Sequence, residues 1–191
     1  MKLNKIMLAA VMALGVSSLA HAADQGHGKV TFSGSIIDAP CSIAPESLDQ
    51  TVELGAISNV ALKNGGKSTP RNFQIKLENC ELTTKNPGKN NTVALTFSGS
   101  ASEADSKLLG ITGTAKGAGI AITGTAKGAG IAITDGAGTN IELGKPSKAR
   151  ELQSGANTLS FAAYLQGSSA STAVIVPGEF QSVADFTLAY Q

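Results

Sequence analysis

Apolar and polar residues alternate in short runs along this chain, and a period of two dictates half-buried β-strands rather than helices. In residues 30–36, Val30, Phe32, Gly34 and Ile36 fall on one face and Thr31, Ser33 and Ser35 on the other. The pattern returns at Phe73, Ile75 and Leu77, and at Val93, Leu95 and Phe97. It returns again at Leu159, Phe161, Ala163 and Leu165, and at Phe186, Leu188 and Tyr190. Weaker strands are predicted at 51–54, 131–134 and 141–143. Breakers separate the runs: Asn64-Gly65-Gly66, Asn86-Pro87-Gly88, Asp135-Gly136, Ser154-Gly155 and Pro177-Gly178. Helical turns are expected at most near 59–63 and 148–152. Short half-buried strands with turns between them predict an all-β, antiparallel sandwich.

The first residues read as an export signal. Lys2 and Lys5 precede an apolar run over 6–16 that is too short to span a bilayer, and Ala20-His21-Ala22 is a small-residue cleavage site. Cleavage there removes 22 of 191 residues and leaves 169, enough for one domain with a core. No later stretch approaches a membrane span, so no membrane insertion is expected. Loss of Lys2 and Lys5 takes the formal charge from +1 to −1. A near-neutral chain without a basic patch excludes nucleic acid as the expected partner. Two cysteines, Cys41 and Cys80, remain after export, and an even pair in an oxidising compartment most simply forms one disulfide. The alternative is a reactive or metal-binding pair, for which two cysteines and the single mature His27 are too few ligands.

An eleven-residue segment, ITGTAKGAGIA, occupies 111–121 and again 122–132. Two copies do not make a solenoid. Eleven is odd, so simple extension of one strand would exchange its faces. The segment therefore adds either a hairpin, with arms 120–123 and 131–134, or an unstructured loop. No catalytic constellation is present: a Ser-His-Asp arrangement would have to use His27, and the carboxylates are scattered. The glycine-rich repeats contain neither a P-loop nor a dinucleotide fingerprint. No enzyme activity, cofactor or metal is expected.

The exported sandwich pattern, with GKVTFSGSIIDAPCSI near the mature N-terminus, the second cysteine in QIKLENC and the final VADFTLAYQ, resembles the subunits of chaperone–usher fimbriae, P-type above all and type 1 more distantly. The likeness spans the mature chain, but the duplication is outside the family pattern. It implies an immunoglobulin-like sandwich that lacks its last strand, 39–191, preceded by an N-terminal extension, 23–38. The resemblance makes Gly28, Val30, Phe32, Gly34 and Ile36 the donor strand that enters a neighbouring subunit. It assigns the acceptor groove to Phe186, Leu188 and Tyr190, with the Gln191 carboxylate offered to a chaperone. The implied partners are identical or related pilin subunits, a periplasmic pilus chaperone and an outer-membrane usher. The implied role is a structural subunit of an extracellular fimbrium, exported through the periplasm. A minor adaptor or tip subunit is the alternative.

Overall fold

A computed structural model describes residues 28–82, 91–103, 105–112, 128–170 and 174–191. The leader, the Asn86-Pro87-Gly88 breaker and most of the repeat lie outside them. The chain divides into two compact units, 1–37 and 38–191.

In the second unit the alternating runs become strands: β1 (Ser42–Ile43), β2 (Arg71–Cys80), β3 (Thr92–Gly99), β4 (Ala129–Asp135), β5 (Asn140–Ile141), β6 (Arg150–Glu151), β7 (Gly155–Gly167) and β8 (Ala184–Tyr190). All pairings are antiparallel. One sheet has the order β1-β2-β7-β4-β5 and the other β6-β3-β8. This is the two-layer, all-β architecture that the period of two predicts.

Each strand's sequence fits its place. β7 lies between β2 and β4, and its Phe161-Ala162-Ala163-Tyr164-Leu165 run is apolar throughout. The faces of the two sheets meet over Ile75, Leu77, Val93, Leu95, Phe97, Leu159 and Phe161. Phe73, Phe97 and Phe161 form an aromatic knot, with centroids 5.3 Å apart for the edge-to-face pair Phe97–Phe161 and 5.6 Å for the stacked pair Phe73–Phe161. Near its end β2 is irregular: the register shifts between Leu77 and Cys80, and Asn79 takes a positive φ of 52°. Asn tolerates this left-handed conformation better than most side chains. Cys80 is buried there and joined to Cys41, as the cysteine count predicts, which pins the domain's entry to the end of β2.

Several expectations change. Residues 51–54 form no ladder, although Val52 and Leu54 are half-buried and their polar neighbours exposed. The 141–143 strand is reduced to Asn140–Ile141, and a strand, β6, replaces the helical turn near 148–152. A short helix α1 (Pro45–Leu48) was not anticipated; Pro45 stands in its first turn, where a missing N–H costs nothing. Of the hairpin expected in the repeat, the arm 131–134 falls within β4, and the arm 120–123 lies outside the described residues. One edge of β4 pairs with β7, and the other is taken by Leu109 opposite Ile131 and by β5 opposite Ile133 and Thr134.

In the first unit, the described residues 28–37 form no strand. Val30 is 75% exposed, Phe32 90% and Ile36 fully. The alternation there predicts a strand, but a strand persists only when a ladder partner takes its backbone groups, and among the described residues no ladder partner is recorded for it.

Candidate subunit-docking groove

β3 and β8 run side by side in the three-stranded sheet, with Val93 opposite Tyr190, Leu95 opposite Leu188 and Phe97 opposite Phe186. These pairs share the inward face. The β3 members are buried, at 0%, 1% and 4% exposure, whereas Phe186, Leu188 and Tyr190 are only half-buried. Composition does not separate the two strands; their flanks do. The far edge of β3 is covered by β6 and by 144–147, where Gly144 donates to the Phe97 carbonyl and Ser147 to the Leu95 carbonyl. Among the described residues, β8 pairs with β3 alone.

The ladder also fixes which backbone groups of β8 are unpaired. Thr92 and Gln191 exchange both of their backbone hydrogen bonds. Because such pairs alternate along an antiparallel ladder, Ala189, Thr187 and Asp185 point their N–H and C=O at β3. Those of Ala184, Phe186, Leu188 and Tyr190 therefore point to the outer edge. Apolar side chains and free backbone groups occur at the same four residues, which is what an added strand requires.

Beside this edge lies a cleft of about 1430 Å³. Phe73, Ile75 and Ile133 of one sheet and Phe97 and Phe186 of the other form part of its wall. Residues 48–57 line it too. The alternating run 51–54, which finds no ladder of its own, thus borders the same cleft as β8.

The residues assigned to the groove do not all meet in this cleft. Phe186 lines it; Leu188 packs against the main core instead. Tyr190 borders a smaller polar cleft with Asp38, Pro40, Asn79 and Glu81. Its hydroxyl is buried without a hydrogen-bond partner, and burial pushes the phenol's pKa up. Gln191 is exposed, with its backbone held by Thr92. Val30, Phe32 and Ile36 stand exposed in the first unit, and a side chain at Gly28 or Gly34 would meet nothing within 4 Å. Sequence reasoning missed the opposite wall. Alternation marks Phe73 and Ile75 as a strand face, but that this face shares its core with Phe186 and Leu188 of β8 emerges only from the packing of the two sheets. No helix among the described residues is long and apolar enough to cross a membrane.

Comparison with known proteins identifies the fold's relatives. The family model described as "Fimbrial protein" matches residues 30–191. The chain is 64% identical over 191 residues to the Fimbria A protein of Serratia marcescens, covering all of both chains. It is 52% identical over 195 residues to the Major MR/P fimbria protein of Proteus mirabilis, again covering both completely. Among solved structures it is similar to a chaperone–usher pilus studied for rod uncoiling, with TM-score 0.72 and 36% identity over 87% of this chain and 97% of that one. The P pilus rod subunit superposes with TM-score 0.67 and 34% identity, covering 80% of this chain and all of that one. With an immunoglobulin-like sandwich and relatives that are major fimbrial proteins, the chain belongs to the fimbrial protein family, whose members are structural subunits of surface pili rather than enzymes.

Proposed function

We propose that this chain builds a fimbrial rod by inserting residues 28–36 of one copy beside β8 of the next. The observation that carries this is a mismatch within one polypeptide. Its N-terminal segment exposes an apolar face with no ladder, and β8 keeps a half-buried apolar face with an unpaired edge. Lengths agree as well: residues 30–36 and the strand Ala184–Tyr190 each number seven.

A strand added between β8 and 51–54 gives both a partner. Its main chain takes the free groups of Phe186, Leu188 and Tyr190, and its alternate side chains enter the cleft. Full burial of Val30, Phe32 and Ile36 stabilises the joint by about 1.5–3 kcal/mol for each side chain. Gly34 lies on that inserted face, where the absence of a side chain lets two backbones approach closely. The donor role covers Gly28, Val30, Phe32, Gly34 and Ile36; the acceptor role covers Phe186, Leu188 and Tyr190.

Before assembly the open edge is an aggregation hazard. A periplasmic chaperone therefore covers it first. An outer-membrane usher then exchanges the chaperone for the next subunit's extension. Export through the periplasm follows removal of residues 1–22. The likeness to major rod proteins favours the rod over a minor adaptor or tip subunit.

The test uses mature protein refolded without chaperone, titrated with a synthetic peptide of residues 23–38. The expected result is binding with a marked rise in melting temperature. A monomer already stable, and unmoved by saturating peptide, sinks the proposal.

A further inference from the structure

The repeat gives the chain two copies of one buried strand. Residues 118–123 read Ala-Gly-Ile-Ala-Ile-Thr, and so do 129–134, which make up all of β4 except Asp135. The position that β4 occupies accepts few sequences. Gly128, just before it, has φ +82°, and a Cβ there would lie 2.5 Å from the Val174 carbonyl oxygen. A Cβ on Gly130 would come within 2.9 Å of the Leu108 and Ser102 side chains. Ala132 is 2% exposed and packs with Leu108 and Tyr164, while Ile133 enters the main core. At the same spacing, the first copy offers Gly117, Gly119, Ala121 and Ile122. The strand's neighbours, β7, β5 and Leu109, all come from outside the repeat.

The geometry points to a strand position with two interchangeable occupants: 129–134, as in this structure, or 118–123. With the second copy in place, the surplus eleven residues precede β4 in the chain. With the first in place, they fall in the chain between the strand and the turn that Asp135 caps through the Ala137 and Thr139 N–H groups. The contacts of 129–134 and of 118–123 in that position are the same residue for residue; only the next place differs, Asp135 opposite Phe161 in one threading and Gly124 in the other. That last pairing and loop closure separate them, and loop closure depends only weakly on length. The duplication is thus a conformational device, with one core and two ways to thread the chain through it.

Paired substitutions in the full chain test this. Ala132→Asp puts a carboxylate between Leu108 and Tyr164, a burial that the strand position cannot tolerate. Ala121→Asp makes the same change in the other copy. Each single variant should fold to nearly the parent's yield and melting temperature, because the clean copy takes the position. The double variant should lose roughly tenfold or more of its folded yield. So should the chain lacking 122–132 when it carries Ala121→Asp, whereas that deletion alone should fold like the parent. If Ala132→Asp alone falls as far as the double variant while Ala121→Asp is silent, only the second copy serves and the inference is overturned. A double variant that folds like the parent, or a deletion that does not fold, overturns it equally.

Discussion

β3 and β8 are hydrogen-bonded neighbours with the same kind of inward face, yet one is sealed and the other is not. Leu95 is buried and Leu188, directly opposite, is half-buried. The difference lies in what flanks each strand. Beyond β3 come β6 and 144–147; beyond β8 no described strand follows. Burial therefore depends on position in the sheet, and equal hydrophobicity can serve two purposes. The sealed side stabilises the subunit, and the open side remains available for association.

The disulfide offers the strongest way to break this comparison, because it belongs to the sealed side. It closes a loop with a sequence separation of 39, for which chain-entropy reasoning gives about 4 kcal/mol. Cys41→Ser should lower the subunit's thermal stability by that order without altering which residues the peptide of 23–38 contacts. Unchanged melting would show that the clamp is dispensable. Next come the two leucines. Leu95→Ala should cost about 2–5 kcal/mol in the free subunit, as deletions in packed cores do. Leu188→Ala should cost clearly less there, and its penalty should grow once the peptide is bound. Equal penalties in the free subunit would erase the distinction between the faces.

Legibility in the sequence followed the same division. Where a strand pairs within its own chain, alternation located it: β2, β3, β7 and β8 all form where Phe73, Leu95, Phe161 and Leu188 mark the period. Where pairing depends on something absent, alternation marked the residues and not their state. Residues 30–36 and 51–54 have the pattern and no ladder. The groove was legible on one wall only, since a run of alternating residues does not disclose the face it meets across the sandwich. Tyr190 shows the limit at a single residue. Its place on the β8 face follows from the period, but its position beside Asp38 and Asn79 depends on the irregular end of β2.

Gly34→Asn sharpens the comparison from the donor's side. A Cβ at Gly34 meets nothing in the free subunit, so stability there should not change. Inserted beside β8, the added side chain must displace groups in a packed groove, at a cost of about 1–3 kcal/mol per joint. Fibre formation should fail while the purified monomer melts like the parent. Normal fibres would mean that Gly34 does not occupy the inserted face.

The smallest effect concerns the cover that seals β3. Glu142 hydrogen-bonds to Lys107 at 2.8 Å and Lys145 at 2.6 Å, and these two ammonium groups hold its carboxyl down at about 2, from an ordinary 4.5. The cluster adjoins the turn whose Gly144 N–H donates to Phe97, so it braces the segment that β8 lacks. A carboxyl with a depressed folded pKa contributes stability that is fully present above its unfolded value. That contribution should decline as pH falls from about 4.5 through about 2. The side chain is only half-buried, and water and salt keep the effect small. Melting temperature measured against pH should therefore fall slightly less steeply across this window in Glu142→Gln than in the parent. Parallel curves would show that the ion cluster contributes nothing to the seal, leaving the Gly144 and Ser147 hydrogen bonds to close β3 by themselves.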